Sequence, residues 1–213
     1  MNRPSRLRSR PALALTACLT AAATALVGCS GSGSSGASPA VGGTVAEARE
    51  LTARGDRAFQ EADYEQAESL YRRSLSIMSD QPGALNNLGN VLVAQQRYLD
   101  ADEVYKLAIE IDSTRPEIFS NRGRLYLQAG YPRDAIRIFD QALDADPRWM
   151  PAIRGKAKAS HVLGLAENEY LGMLRQAMIL ESDAAWRAFF DSERARVRDA
   201  LLAEEDISST GSF

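Results

Sequence analysis

The sequence predicts an all-α fold, a solenoid of stacked helix pairs closed by a terminal helix. The first observation is a 34-residue period, in which Gly55, Gly89 and Gly123 recur and Ala157 takes the next position. The second is that small and aromatic residues repeat in the same phase (Ala67, Ala101, Ala135; Tyr71, Tyr105, Phe139). Repeats of this length stack so that each buries its apolar face against its neighbours. Because a solenoid presents a concave surface instead of a catalytic cleft, the period favours a binding function.

The N-terminal segment, residues 1–28, is predicted to be a lipoprotein signal peptide. A basic head of four arginines precedes an apolar run over residues 12–27, which is short for a membrane span of about 20 residues. The run ends in Leu26-Val27-Gly28-Cys29. This pattern resembles the bacterial lipobox, which implies cleavage before Cys29 and attachment of several acyl chains, enough for a stable anchor. An uncleaved anchor and a plain secretory signal are the alternatives.

Residues 29–44 are predicted to form the lipidated cysteine and a flexible tether, because residues 30–43 are mainly glycine and serine. Ser30, directly after the lipidated position, resembles the pattern of lipoproteins sent to an outer membrane. The expected location is therefore the bacterial cell envelope, on the outer membrane facing the periplasm if the cell has two membranes. Cys18 lies in the removed segment, so no thiol is left for a disulfide or a metal.

The charge of the mature chain argues against nucleic acid as a partner. The full sequence has a formal net charge of −3, but residues 1–28 contain four arginines and no acid. Without them, 21 basic residues face 28 acidic ones, a net charge of −7. An acidic body of this kind has no general attraction for a polyanion.

The solenoid is predicted over residues 45–182, with three regular units at 48–81, 82–115 and 116–149. Each reads as two amphipathic helices joined by a short turn. Pro82 and Pro116 open the first helices of their units, where a missing N–H costs nothing. The small and aromatic positions resemble those of the tetratricopeptide repeat (TPR) family, on these residues: Gly89, Tyr98, Ala101, Tyr105, Ala108, Gly123, Tyr126, Gly130, Ala135, Phe139, Ala142 and Pro147.

Residues 150–182 are predicted to form a degenerate fourth unit with one inserted residue, because Ala177 follows Ala142 by 35 positions. Residues 183–206 are predicted to form a capping helix with Ser182 as its N-cap, and residues 207–213 a frayed tail. Apolar residues on one face of that helix, with charged residues opposite, suit the cap that an open solenoid needs (Trp186, Phe189, Phe190, Val197, Leu201).

Catalytic chemistry is sparse in this sequence. It has one histidine, His161, which we interpret as a packing or surface residue, and it has no phosphate-binding loop or paired metal-ligand motif. We therefore expect no enzyme activity, no cofactor, no metal and no small-molecule substrate.

The TPR resemblance implies a concave groove lined by the first helix of each unit, where asparagines hold a peptide backbone and cations take carboxylates. By phase, Asp56, Ser120, Val93, Leu127 and His161 face this groove. The candidate partner-binding residues are three asparagines of one helical turn and the amide and cations that follow them in phase: Asn86, Asn87, Asn90, Asn121, Arg124, Arg154 and Lys158.

Asparagine is a poor helix former, so three in one turn indicate a use. The use is either peptide binding, with the cations favouring an acidic peptide or a free C-terminus, or bonding between neighbouring helices with solvated cations. The family's full carboxylate clamp is not met, because Asn86, Pro151 and Gly155 occupy positions where it needs cations.

The leading hypothesis is a membrane-anchored adaptor that binds a partner polypeptide in envelope assembly or secretion, for example in pilus or outer-membrane machinery. A self-associating scaffold of the envelope is the alternative, and an accessory domain of an enzyme complex is a third possibility. The pattern leaves the oligomeric state open.

Overall fold

The computed structural model describes the backbone of residues 43–210 and the side chains of residues 43–207. Within this range the chain forms nine α-helices and no β-strand, which confirms the all-α prediction for the described part. The predicted signal peptide, Cys29 and the tether up to residue 42 lie outside the described residues. None of the described helices is long and apolar enough to cross a membrane.

Three regular units of two helices each follow the 34-residue period. Their helices are α1 (Val45–Gln60), α2 (Tyr64–Ile77), α3 (Pro82–Ala94), α4 (Tyr98–Ile111), α5 (Pro116–Gln128) and α6 (Pro132–Ala145). Thr44 caps α1 and Asp63 caps α2 through side-chain oxygens that accept a backbone N–H. Pro82 and Pro116 begin α3 and α5, as their positions predict. The turn inside each unit has three residues, one of them at positive φ.

In each regular unit, a glycine of the first helix lies against an aromatic ring of the second helix. A Cβ on Gly55 would stand 2.7 Å from the Tyr71 ring, and one on Gly89 would stand 2.5 Å from the Tyr105 ring. Phe139 takes the same place beneath Gly123 in the third unit. The period therefore records a steric requirement, since only a hydrogen fits where the ring crosses the first helix.

The units stack with their first helices on a shared inner face. The helices α1, α3 and α5 contact one another from unit to unit, whereas α2, α4 and α6 make no such contacts within the described residues. The second helices therefore spread apart on the outside, which gives the stack its concave side along the first helices. Buried leucines and alanines between the two layers form the core.

The fourth unit consists of α7 (Met150–Val162) and α8 (Asn168–Leu180), joined by a longer turn. This turn has five residues, and Gly164 adopts φ +66° in it. Tyr170, Leu174 and Ala177 are buried 35 residues after Ala135, Phe139 and Ala142. The slipped register predicted from the sequence is therefore absorbed in the turn, and the core pattern resumes after it.

The last helix, α9 (Ala184–Thr210), differs from its prediction at both ends. Its N-cap is Asp183, not Ser182, because the Asp183 carboxylate accepts the N–H groups of Ala185 and Trp186 at 2.9 and 3.1 Å. At its other end the helix includes residues 207–210, which were predicted to be frayed. No glycine or proline interrupts residues 201–210, so the sequence there contains no stop signal.

Candidate functional site

The candidate residues predicted from the sequence lie on α3, α5 and α7, the helices that share the inner face. The structure thus brings Asn86, Asn87 and Asn90 together on α3, with Asn121 and Arg124 beside them on α5 and Arg154 and Lys158 on α7. The backbone period explains this placement, because positions 34 residues apart occupy equivalent sites on neighbouring first helices.

The asparagines bond across neighbouring helices. Asn121 Nδ2 donates to Asn86 Oδ1 at 2.8 Å, and Asn87 Nδ2 donates to Asp56 Oδ1 at 2.8 Å. Asn86 is buried and also donates to Asn87 Oδ1 at 3.3 Å. These amides therefore tie α1, α3 and α5 together, which is the second of the two uses that the sequence suggested.

A second repeated device joins the two helix layers. The Tyr71 hydroxyl donates to Asp56 Oδ1 at 2.7 Å, and the Tyr105 hydroxyl donates to Asn90 Oδ1 at 2.8 Å. Burial raises the pKa of both tyrosines far above the ordinary value, and for Tyr71 the bond to Asp56 adds to the effect. Both hydroxyls therefore remain protonated donors.

The third unit interrupts this device, because Phe139 has no hydroxyl to donate. Arg124, the residue in phase with Asp56 and Asn90, reaches back instead, and its Nη2 donates to Asn90 Oδ1 at 3.2 Å. Arg124 is exposed and makes no ion pair within the described residues. Its charge is thus available on the inner face.

An open cavity of about 380 Å³ lies between α5, α7 and the start of α9, and we call it the cationic cavity. Four apolar residues line it: Leu127, Phe139, Pro151 and Trp186. Its charges come from Arg124, Arg154 and Lys158. Gly155 opens it, because a Cβ on Gly155 would overlap the Phe139 ring. The Phe139 ring, which is fully buried, therefore packs directly beneath the Gly155 backbone at the base of the cavity.

The three cations of the cationic cavity differ in their surroundings. Arg154 forms a bidentate ion pair with the buried Glu181, with N–O distances of 2.7 and 2.6 Å. The hydrogen bonds from Arg154 lower the pKa of Glu181, and the pair keeps both groups charged. Lys158 is exposed, makes no ion pair in the described part of the chain, and holds its Nζ 4.8 Å from the Trp186 ring centroid.

Trp186 belongs to this site although the sequence pattern assigned it to the apolar face of the cap. The Arg154 guanidinium lies 5.1 Å from the same ring, so two cations hold the indole against the inner face. The 34-residue phase could not reveal this contact, because α9 stands outside the repeat. Glu181 was missed because its role depends on its ion pair with Arg154, a residue 27 positions earlier, and that spacing is not part of the 34-residue period.

The opposite end of the inner face is acidic. A smaller cavity of about 200 Å³ lies there, lined by residues of α1, α2 and α3 that include Asp56, Tyr71 and Asn87. The groove therefore runs from a carboxylate in the first unit to cations in the third and fourth units.

The remaining predicted positions are structural or peripheral. Val93 packs against the core, and Leu127 lines the cationic cavity. His161, whose side chain is half exposed, contacts α9, where its Nδ1 lies 2.8 Å from Glu193 Oε2. No cluster of three or more histidine, cysteine or acidic residues that could hold a metal occurs among the described residues.

Comparison with known families recognises tetratricopeptide repeats in this chain. The family model described as TPR repeat matches residues 89–130, and the model described as tetratricopeptide repeat matches residues 120–169. Both matches lie in the solenoid. Domains of this fold are commonly protein–protein interaction modules that bind peptides.

Solved structures show the same fold at low sequence identity. The first TPR domain of Spaghetti (RPAP3), bound to an HSP90 peptide, is 18% identical, with a TM-score of 0.55 over 59% of this chain and 99% of that one. The Sgt2 TPR domain from Aspergillus fumigatus is 22% identical, with a TM-score of 0.53 over 55% of this chain and 79% of that one.

An O-GlcNAc transferase mutant from Thermobaculum terrenum is 24% identical, with a TM-score of 0.54 over 63% of this chain but only 25% of that one. No curated protein matches this sequence. The similarity is therefore to the repeat fold, and the site residues have to be interpreted from their own geometry.

Proposed function

We propose that this protein is a membrane-anchored adaptor that binds a partner polypeptide along the inner face of its repeats. The observation that carries the proposal is the cationic cavity, where Arg124 and Lys158 are exposed beside apolar walls in an otherwise acidic body. Unpaired cations next to apolar surface suit a polypeptide with carboxylates. The HSP90 peptide bound by the similar Spaghetti domain supports a peptide as the ligand class.

The asparagines have a supporting role in this proposal. Because Asn86, Asn87 and Asn121 are bonded to one another and to Asp56, they hold the spacing of the first helices. Asn87 and Asn121 are only partly buried and have bonding capacity beyond the bonds described, so they can still contact a peptide, whereas Asn86 is buried. Replacing them would therefore disturb both the fold and the groove, which makes the exposed cations the better test.

The test is partner capture in the native envelope by crosslinking and mass spectrometry. A double variant, Arg124→Glu with Lys158→Glu, should reduce capture at least about tenfold, because two attractive charges become repulsive. Arg175→Glu is the matched control, since Arg175 is an exposed arginine of α8 outside the cavity lining. Equal capture by the double variant and the control would contradict the proposal.

The anchor is a separate part of the proposal. We infer from the sequence that a lipid on Cys29 holds the protein at an envelope membrane and that the adaptor serves envelope assembly or secretion. Cys29→Ser should leave a precursor of higher mass without acyl chains. Mature, membrane-bound protein from the Cys29→Ser gene would overturn the anchor without affecting the groove.

A further inference from the structure

We propose, on the basis of the proposed function, that the cationic cavity selects an apolar side chain followed or preceded two residues away by a carboxylate. The apolar side chain enters the cavity against Leu127 and Trp186. The carboxylate binds Arg124 and Lys158 at the rim. The partner is thus a segment of extended polypeptide that contains these two groups.

The cavity has room and an apolar lining for a side chain of the partner. Its volume of about 380 Å³ is near the lower end of the range for small-molecule sites, roughly 300–1,000 Å³. Leu127 and Trp186, both partly buried, line it with apolar surface above the fully buried Phe139 ring. Pro151 also lines the cavity, so an aliphatic or aromatic side chain meets apolar atoms from α5, α7 and α9.

One of the three cations at the rim is paired within the protein, and the other two are available to a ligand. Arg154 is paired with Glu181, and its guanidinium also lies against the Trp186 ring. These two contacts fix one wall of the cavity. Arg124 and Lys158 have no carboxylate partner in the described part of the chain and are both exposed. A carboxylate from the partner therefore meets two cations without displacing an existing ion pair.

The spacing of two residues follows from the geometry of an extended chain. Successive side chains of such a chain point to opposite sides, so residues i and i+2 face the same surface. A segment lying on the inner face can then place one side chain in the cavity and the next but one at the rim. Adjacent residues would place one of the two groups away from the protein.

One polar side chain of the cavity lining is buried and has no hydrogen-bond partner among the described residues. Ser120 lines the cavity and is 5% exposed, yet its Oγ makes no hydrogen bond within the described residues. A buried hydroxyl without a partner is costly and uncommon. The Oγ atom itself is enclosed by protein atoms, so the hydroxyl belongs to the wall of the cavity and does not face the groove.

The test uses the full chain labelled with ¹⁵N at tryptophan and three capped peptides in a serine background. The first contains Leu-Ser-Glu, the second Ser-Ser-Glu and the third Leu-Ser-Gln. We expect the first to shift the indole resonance of Trp186 and to bind at least about tenfold more tightly than the other two. Trp149, the second tryptophan and not part of the cavity lining, is the internal control and should not move.

Protein variants separate the subsite from the groove. Arg124→Gln with Lys158→Gln should abolish the preference for Glu over Gln in the peptide and keep the preference for Leu over Ser, whereas Arg175→Gln should keep both. Equal binding of the three peptides would overturn the subsite and leave the groove in place. Absence of a Trp186 shift, with native-partner capture still dependent on the cations, would also overturn the subsite alone. Loss of that dependence as well would overturn the proposed function.

Discussion

At the scale of single residues, the contact between a helical glycine and an aromatic ring determines how closely the two helices of a unit approach. Gly55, Gly89 and Gly123 each lie where a Cβ would meet a ring. Gly172 also lies within a helix, but a Cβ there would meet nothing within 4 Å. Replacement by alanine should therefore be destabilising at the first three positions and stabilising at Gly172.

The first prediction uses this contrast. Gly89→Ala should lower the free energy of unfolding by about 1–3 kcal/mol, because its Cβ would stand 2.5 Å from the fully buried Tyr105 ring. Gly172→Ala should raise it by about 0.5–1 kcal/mol, because alanine favours the helix and nothing obstructs it. Urea unfolding followed by circular dichroism measures both, and equal effects of the two substitutions would contradict the steric explanation.

The second prediction concerns Ser120, whose buried hydroxyl has no partner among the described residues. Ser120→Ala should leave thermal stability unchanged or slightly higher, because it removes an unsatisfied polar atom and introduces a better helix former. A clear loss of stability would show that the hydroxyl already has a partner in the folded protein.

At the scale of elements, α9 is held to the fourth unit by a charged cluster as well as by apolar packing. Glu193 is 3% exposed and accepts bonds from His161 on α7, from Tyr170 on α8 and from Arg196 on its own helix. Burial alone would raise the pKa of Glu193, but these hydrogen bonds outweigh it and lower the pKa. Phe190 and Val197, both buried, supply the apolar part of the contact.

The third prediction follows from the buried carboxylate. Glu193→Gln should lower stability by about 1–3 kcal/mol, since it replaces charge-assisted bonds with weaker ones at a buried position. The loss should appear as faster hydrogen exchange in α9, with α1 to α4 unchanged. Glu204→Gln, an exposed position of the same helix, is the control and should leave exchange unaltered.

The fourth prediction concerns acid. Because the pKa of Glu193 in the folded protein is lowered, its stabilising contribution is complete above the ordinary value of 4.5 and is lost as the pH falls through the lower folded value. Trp186 fluorescence should report loosening of α9 in that acidic range. In Glu193→Gln the change should be smaller, and an identical acid profile in both proteins would exclude Glu193 as its source.

At the scale of the whole molecule, the last of the four stacked units has no following repeat among the described residues to cover it. Helix α9 covers the last unit, where Tyr170, Leu171 and Leu174 would otherwise face solvent. The same helix supplies Trp186 to the cationic cavity. Closure of the solenoid and completion of the site are therefore performed by one element.

The fifth prediction tests this dual role. A chain ended after Glu181 should expose the apolar face of α8 and self-associate, which sedimentation and dye binding would detect. It should also lose partner capture, because the Trp186 wall is gone. A truncated chain that stays monomeric and unfolds at the wild-type temperature would contradict the capping role.

The sequence alone determined the class of fold, the phase of the repeats and the helices that carry the candidate residues. It could do so because each glycine–aromatic contact and each buried alanine recurs every 34 residues, so the steric requirement is written into the chain as a period. The inserted residue of the fourth unit was visible for the same reason, since it shifts that period by one, and the structure then placed it in the turn that contains Gly164.

Only the tertiary structure decided what the candidate residues do. It paired Asn121 with Asn86, assigned Arg154 to Glu181, and brought Trp186 across from α9 to complete the cationic cavity. These contacts join positions with no fixed spacing in the sequence. The contacts of Trp186 depend on how α9 packs against α7 and α8. A period specifies equivalent places on successive helices, but the side chains that meet between non-equivalent elements are set by packing in three dimensions.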